Sequence, residues 1–466
     1  MRMTVIGTGY VGTVHAACMA GLGHEVLGVD IDPDRVAALS AGRAPLRETG
    51  LDALLARTVA DGKLRFTTSL AEAAAFARLH FVCVGTPQLS GGQAADLRHV
   101  DAVFDGLARS LRPGSLVVGK STVPVGTADR LARRLADAAP EAGCEVAWNP
   151  EFLREGSAVA DTLHPERLVV GVRSRYADAV LREVYAPMLR DGVPFFSTDP
   201  ATAELVKVAS NAFLATKISF INAMAEVCDT AGADAATLAR AVGADPRIGA
   251  AFLEPGLGFG GSCFPKDIRA FAARAEEIGA GAAVAFLHEV DRINTRQRQR
   301  TLELARELLG GSFAGRRIAV LGAAFKPGSD DVRDSPALAV ADAAHRHGAL
   351  VRVHDPEALD NARAVSPALG YAVDVTKACE GADLVLHLTP WPEYRTLDPA
   401  ELADVVRVPL LLDARNSLDA PAWRRTGWTV RPLSGPRTTG GAAVDEPPAH
   451  RSPAAPALTA PSGRTS

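Results

Sequence analysis

The sequence predicts an α/β protein in which two parallel-sheet domains flank a helical middle. Three observations carry this. Apolar strand-like runs alternate with alanine-rich helical spacers from residue 1 to about 198. The strand signal then vanishes until about Arg300, and the alternation restarts at Arg317. Alternation of this kind builds a parallel sheet covered by helices.

The first run, Met3 to Gly7, suits a buried parallel strand and leads into Gly7-Thr-Gly9-Tyr-Val-Gly12. A helix-like VHAACMAGLG follows, and HEVLGVDID reads as a second strand ending in Asp30. LRFTTS, LHFVCVGTP, SLVVGKSTVP, EVAWNP and RLVVGV are further strands. In the middle, Leu205, Val208, Leu214, Ile218, Ile221 and Ala225 recur near helical spacing and predict one long helix. RIAVLGAAF, LVRVHDP, DLVLHLTP and VPLLLDA form the second strand set, whose turn Gly322-Ala-Ala-Phe325-Lys326-Pro327 lacks the glycine fingerprint. The expected domains are 1–198, 199–300 and 301–435. The stretch 436–466, rich in Pro, Ala, Ser and Gly, is expected to be disordered.

The chain has 466 residues, 47% hydrophobic and 22% charged, with net charge −4. That balance points to neither nucleic acid nor an anionic membrane. The six cysteines are scattered, without a metal-type pair or a disulfide framework, and no metal-ligand constellation stands out. No signal peptide and no run of 18 apolar residues is visible, so a cytoplasmic setting is expected. His164 and His288 read as structural residues.

Gly7-x-Gly9-x-x-Gly12 gains weight from its context: strand before, helix after, Asp30 at the end of the next strand. The glycines permit a tight turn and close approach of a pyrophosphate to a helix N-terminus. Asp30 can accept from ribose hydroxyls and repels a 2′-phosphate, which favours NAD over NADP. Arg35 either reaches the adenosine side or is a solvated helix charge.

GFGGSCFPKD, residues 258–267, places Cys263 among glycines with Lys266 and Asp267 behind it. A nearby cation or helix N-terminus is expected to lower the thiol pKa and make it a nucleophile. The glycines read as clearance for a substrate carbon. Lys207 and Asn211, four apart, share one helix face that either holds an oxyanion or is partly exposed. Ser121-Thr122-Val-Pro124 and Asn149-Pro-Glu151-Phe-Leu-Arg-Glu155 each follow a strand, where α/β sheets present ligands. A hydride acceptor beside a cysteine suggests oxidation past the aldehyde, through a thioester.

These motifs, with VGTP (84–87), DPRIG (245–249), FLEPGLGFGGSCFPKD (252–267) and LGAAFKPGSDDVRDSP (321–336), resemble the UDP-glucose/GDP-mannose dehydrogenase family over residues 1 to about 435. The resemblance implies two Rossmann-like domains, a long central helix in a helical dimerisation core, and a homodimer. It implies Cys263 as nucleophile, Lys207 and Asn211 near the sugar C6 oxygen, and Asp267 in proton transfer. Glu151 is implied in thioester hydrolysis and Thr122 in positioning water. Implied NAD contacts are Gly7, Gly9, Tyr10, Val11, Gly12, Asp30, Arg35, Thr86, Thr122, Glu155, Lys266 and Arg333. Implied substrate contacts are Glu151, Phe152, Leu153, Arg154, Glu155, Lys207, Asn211, the segment Phe252, Leu253, Glu254, Pro255 and Gly256, and Gly260 and Lys326. Arg247 is implied to reach the partner subunit's substrate. EFLREGSAVADTLHPERLVVG is similar to the branch acting on UDP-glucose, with GDP-mannose or a UDP-N-acetylhexosamine as alternatives.

Overall fold

The computed structural model describes residues 1–44 and 46–435, so the expected disordered stretch 436–466 lies outside the described residues. Eight strands form the first sheet: β1 (Arg2–Ile6), β2 (Glu25–Val29), β3 (Leu64–Thr67), β4 (Leu79–Val82), β5 (Leu116–Gly119), β6 (Glu145–Trp148), β7 (Leu168–Gly171) and β8 (Phe195–Thr198). Their order is β3-β2-β1-β4-β5-β6-β7-β8. The order reverses between β1 and β4, the kind of switch point at whose carboxyl side α/β sheets bind ligands. Neighbours are parallel except β6 and β7, which meet at one antiparallel bridge, Trp148 with Gly171. There a side chain bridges the gap in the ladder: Asn149 Nδ2 donates to the Val169 carbonyl at 2.8 Å.

The second sheet holds β9 (Arg317–Leu321), β10 (Leu350–His354), β11 (Gly370–Tyr371), β12 (Leu384–His387), β13 (Leu410–Asp413) and β14 (Thr429–Pro432). All its pairings are parallel, in the order β11-β10-β9-β12-β13-β14. The strands that sequence reading missed, β8, β11 and β14, lie at sheet edges. Edge strands are short or half-exposed, so they lack the continuous apolar run that marks a central strand.

Between the sheets runs the helix Pro200–Ala231. Asp199 caps its start by accepting from Thr202 N, Pro200 takes the first turn, and Gly232 ends it at φ 73°. Its 32 residues span about 48 Å, long enough to link both domains. It packs against the helices Phe264–Glu277 and Phe286–Leu308. Val208, Ile221 and Ala225 of the expected apolar stripe are buried, but so are Glu204, Lys207, Asn211, Ser219 and Asn222. A buried helix face this polar needs partners, and they define the site.

The glycine-rich loop sits where the helical middle meets the second sheet. A Cβ on Gly258 would lie 2.3 Å from Asn294 Oδ1, and one on Gly260 2.3 Å from the Asp334 carbonyl oxygen. One on Gly261 would lie 2.7 Å from the Phe325 ring. The expectation that these glycines clear space for substrate is therefore corrected: they let the loop backbone press against other protein segments. Gly260→Ala should force the Asp334 backbone aside and destabilise the fold by about 1–3 kcal/mol. A thermal melt superimposable on wild type would show that the loop yields freely.

Candidate active site

The turn after β1 assigns its glycines distinct tasks. Gly7 takes φ 89°, and a Cβ on Gly12 would sit 1.8 Å from the Gly7 carbonyl oxygen. Only glycine allows the helix Tyr10–Gly21 to pack this tightly on the strand. A Cβ on Gly9 would meet nothing within 4 Å, which leaves the loop face open at the helix N-terminus. Asp30 ends β2 and is buried; its Oδ2 accepts from Thr8 N at 2.8 Å and its Oδ1 from Asp32 N at 3.1 Å. Burial pushes its carboxyl up, but the N–H donors of Asp32 and Thr8 and the Arg35 guanidinium outweigh it and hold the group below the usual range. Arg35 Nη1 lies 3.2 Å from Asp30 Oδ2, so it belongs to this corner rather than to a solvated face. An open glycine turn, a free helix N-terminus and an ionised carboxylate at the next strand end fit NAD. Tyr10 bonds Glu48, whose carboxylate accepts from Gly156 N at 2.7 Å and Ala158 N at 2.8 Å, tying this turn to the loop after β6.

The second cluster gathers around Lys207. Its Nζ lies 3.0 Å from Glu151 Oε1, with both side chains under a tenth exposed. Glu151 Oε2 also accepts from Leu153 N at 2.6 Å. Burial pushes Glu151 up, but Lys207 and the Leu153 N–H bring it below its ordinary value. Burial pushes Lys207 down, and Glu151, Cys263 and Asp267 together raise it, so it stays an ammonium. Asn211 is buried one turn on and donates to Asp267 Oδ2 at 2.7 Å, while Lys266 pairs with Asp267 Oδ1. The helix face is thus buried and partnered, not half-exposed.

Cys263 precedes the helix Phe264–Glu277, and its residue remains exposed to solvent. Crowding by protein on its other sides, then the charges of Asp267 and Glu151, push the thiol up to about 11; Lys207 and the Ser262 hydroxyl pull the other way. The expected lowering of the thiol pKa is corrected: burial, with the charges of Asp267 and Glu151 added to it, outweighs the one ammonium. In the free protein the sulfur is held as a thiol.

Thr122 lines a cleft with Val123, Lys266, Asp267 and Phe271, and its carbonyl accepts from Thr86 Oγ1 at 2.8 Å. The Phe152 ring has the Arg167 guanidinium 4.0 Å and Lys207 Nζ 5.7 Å from its centroid. Glu155 reaches the second sheet: its Oε2 accepts from Ser329 Oγ at 2.9 Å, and its carbonyl from Lys326 Nζ at 2.7 Å. Arg333 lies 3.8 Å from Glu155 and pairs more closely with Asp331. Gly256 N donates to Asn222 Oδ1 and the Pro255 carbonyl accepts from Asn416 Nδ2, while Leu253 is buried and Phe252 and Glu254 are exposed. Arg154 turns outward to Asp161, Val11 is half-buried, and Arg247 pairs with Asp245 on an exposed surface away from the cluster.

Two residues at the site escaped sequence reading. Lys120, directly before Ser121, is buried and donates to Asn149 Oδ1 at 3.1 Å. Its place at the carboxyl end of β5 was the available signal. Arg415, just past β13, donates through Nη1 to the Gly258 carbonyl at 3.0 Å, while its Nη2 is buried without a partner. A lone arginine after an apolar strand carries no periodic signal.

A dinucleotide turn, an exposed cysteine and a buried Lys–Glu pair in one molecule are the features of an NAD-linked dehydrogenase. Comparison with known proteins gives the family. The NAD binding, central and UDP binding domains of the UDP-glucose/GDP-mannose dehydrogenase family match residues 1–189, 201–296 and 319–420. A UDP-glucose 6-dehydrogenase of Rhizobium meliloti is 43% identical, covering 89% of this chain and 95% of its own. One of Pseudomonas aeruginosa is 44% identical, covering 91% and 94%. The structure of a UDP-glucose dehydrogenase from Pyrobaculum islandicum superimposes with a TM-score of 0.86 at 40% identity, covering 93% and 98%. The chain belongs to the UDP-glucose/GDP-mannose dehydrogenase family.

Below the pKa of a thiol, its reactive thiolate fraction grows about tenfold per pH unit. Alkylation of Cys263 by iodoacetamide, followed by mass spectrometry on the free protein, should therefore keep rising between pH 8 and 10. A rate already flat at pH 8 would mean that the thiolate exists near neutrality.

Proposed function

We propose that this chain oxidises C6 of UDP-glucose to the carboxylate, giving UDP-glucuronate in two NAD-dependent steps. The observation that carries the reading is Cys263, exposed beside the buried Lys207–Glu151 pair and the Asn211–Asp267 contact. Relatives bearing the UDP-glucose 6-dehydrogenase name align along nearly the whole chain.

NAD⁺ bound at the Gly7–Gly12 turn supplies the hydride acceptor for each oxidation. The protein's own residues do the rest. Lys207 holds an ammonium, and Asn211 keeps a second N–H free, for the C6 oxygen as it gains negative charge. The Cys263 sulfur adds to the aldehyde carbon as its proton passes through water to Asp267, leaving a thiohemiacetal whose C6 oxygen is anionic and held by Lys207 and Asn211. Loss of the second hydride leaves a thioester. Water, positioned by Thr122 and deprotonated toward Glu151, attacks the thioester carbonyl; the acid leaves and the thiol is restored. The high thiol pKa of the free protein suits this timing, since the sulfur stays protonated until an aldehyde and a cationic nicotinamide stand beside it.

Gly7, Gly9, Tyr10, Val11, Gly12, Asp30, Arg35, Thr86 and Lys266 are read as cofactor contacts. Phe152, Glu155, the segment 252–256, Gly260 and Lys326 are read as substrate contacts, and Arg415 joins them because its unpartnered Nη2 needs an anionic or carbonyl acceptor. We read the three units as 1–198, 199–300 and 301–435, and the assembly as a homodimer. The dimer is supported by Phe213, Phe220 and Val227, exposed seven residues apart along the central helix, and it would give Arg247 a partner's site to enter. A cytoplasmic setting is supported by the six cysteines, all free. Among the described residues no helix is long and apolar enough to cross a membrane.

The test is NADH stoichiometry across a panel of sugar nucleotides. Two NADH per UDP-glucose are expected; one, or faster turnover of GDP-mannose or a UDP-N-acetylhexosamine, would replace the reading. Cys263→Ser should stall after the first oxidation or at covalent capture, and full turnover to the acid would remove the sulfur from the path. Lys207→Ala should lower kcat by about 100-fold or more, since it also leaves Glu151 buried without its cation. An unchanged rate would take Lys207 out of the chemistry.

A further inference from the structure

Glu204 lies one turn before Lys207 on the central helix and is 2% exposed. Its carboxylate does not join the Lys207 cluster. Oε2 accepts from Gly126 N at 2.7 Å and Oε1 from Ala128 N at 2.6 Å. These N–H groups open the helix Thr127–Ala138, whose own flanking residue, Gly126 at φ 91°, has no side chain to cap it. A glutamate from a distant element thus supplies the cap. From the other side, Arg274 Nε donates to the Val125 carbonyl at 3.0 Å. The segment 122–128 is therefore gripped twice. One grip comes from the helix bearing Lys207 and Asn211, the other from the helix bearing Asp267 just after Cys263. That segment also carries Thr122, in the cleft shared with Lys266 and Asp267.

We propose that Glu204 and Arg274 are positioning residues that hold the Thr122 segment in register with both catalytic helices. The inference rests on the role given to Thr122 above. Neither residue touches the reacting atoms; each acts through the backbone of residues 125–128.

The charged groups facing Glu204 are few. Asp129 comes from the capped helix and is itself paired with Arg173; Arg274 comes from the helix after Cys263 and is shared with Glu277. Burial pushes the Glu204 carboxyl up, the two N–H groups pull it down, and the group settles at about 7. Ionised, it offers an acceptor to each N–H. Protonated, one oxygen carries a hydrogen and one N–H loses its acceptor. The grip thus tightens as pH rises through about 7. Stability runs the other way: a carboxyl raised by folding favours the protonated state, so its contribution falls over the same rise in pH.

The experiment compares kcat and both KM values for wild type, Glu204→Gln and Arg274→Ala between pH 6 and 9. Glu204→Gln mimics the protonated carboxyl. It should lose about tenfold in kcat at pH 8 with the KM for UDP-glucose unchanged. The deficit should narrow toward pH 6, where wild type is itself protonated. Arg274→Ala should lower kcat at every pH. A Glu204→Gln deficit equal at all pH values, or wild-type kcat in Arg274→Ala, overturns the proposal. If Glu204→Gln does not fold, Arg274→Ala alone decides. NAD⁺ affinity is read separately by fluorescence quenching. If wild type binds NAD⁺ but does not oxidise UDP-glucose, the functional reading fails. Weakened NAD⁺ binding in both variants then still supports the grip, and unchanged binding overturns it.

Discussion

The ion pair between Lys207 and Glu151 governs the centre of this molecule. Both side chains are almost fully withdrawn from water, at a separation of 3.0 Å. Burying either charge alone costs several kcal/mol, so neither can be placed without the other. Glu151 follows β6 of the first sheet and Lys207 sits on the central helix. Their pairing therefore fixes how the helix lies across the carboxyl ends of the strands. Asn211 then meets Asp267 one turn further on, which draws the helix after Cys263 against the same face. The sulfur's neighbourhood is a consequence of these two contacts.

The same contacts explain why the cysteine is quiet at rest. An exposed thiol beside a lone ammonium would ionise easily. Here the ammonium is already committed to Glu151, and Asp267 adds a second negative charge close by. Burial of the sulfur, and after it the net field of these charges, disfavours a thiolate. Reactivity then depends on what binds: a cationic cofactor ring and an electrophilic carbon change the balance of charge at the moment the sulfur is required. A thiol that ionises only in company is less exposed to adventitious oxidation than a standing thiolate.

The fold was largely legible, and the exceptions are instructive. Central strands such as β4, β5 and β12 are buried along their whole length and mostly apolar, because both faces are covered. β8 has two exposed residues in the middle of its four, and β11 has only two residues, so neither leaves a pattern to read. The site was legible in its identities and less so in its states. Cys263, Lys207, Asn211, Asp267 and Glu151 were named from motif and spacing, and they do come together. The lowered thiol pKa and the substrate clearance at Gly258, Gly260 and Gly261 were not borne out. Both had been inferred from residues adjacent in the chain, whereas the burial that most raises the thiol and the contacts of the glycines with Asn294, Asp334 and Phe325 are set by the folded protein.

Sequence alone determined what is local: the strand-turn-helix glycine fingerprint with its carboxylate, the apolar periods that build two sheets around a helix, and which residue carries the sulfur. Each depends on backbone geometry or side-chain spacing over a few residues. Tertiary structure alone decided the charge on Lys207 and Glu151, the protonation of Cys263, the packing of the glycine loop on the second sheet and the grip of Glu204 on the segment after β5. Each of these depends on burial and on distances between residues far apart in the chain. Electrostatic energy varies with both, and spacing along the chain encodes neither.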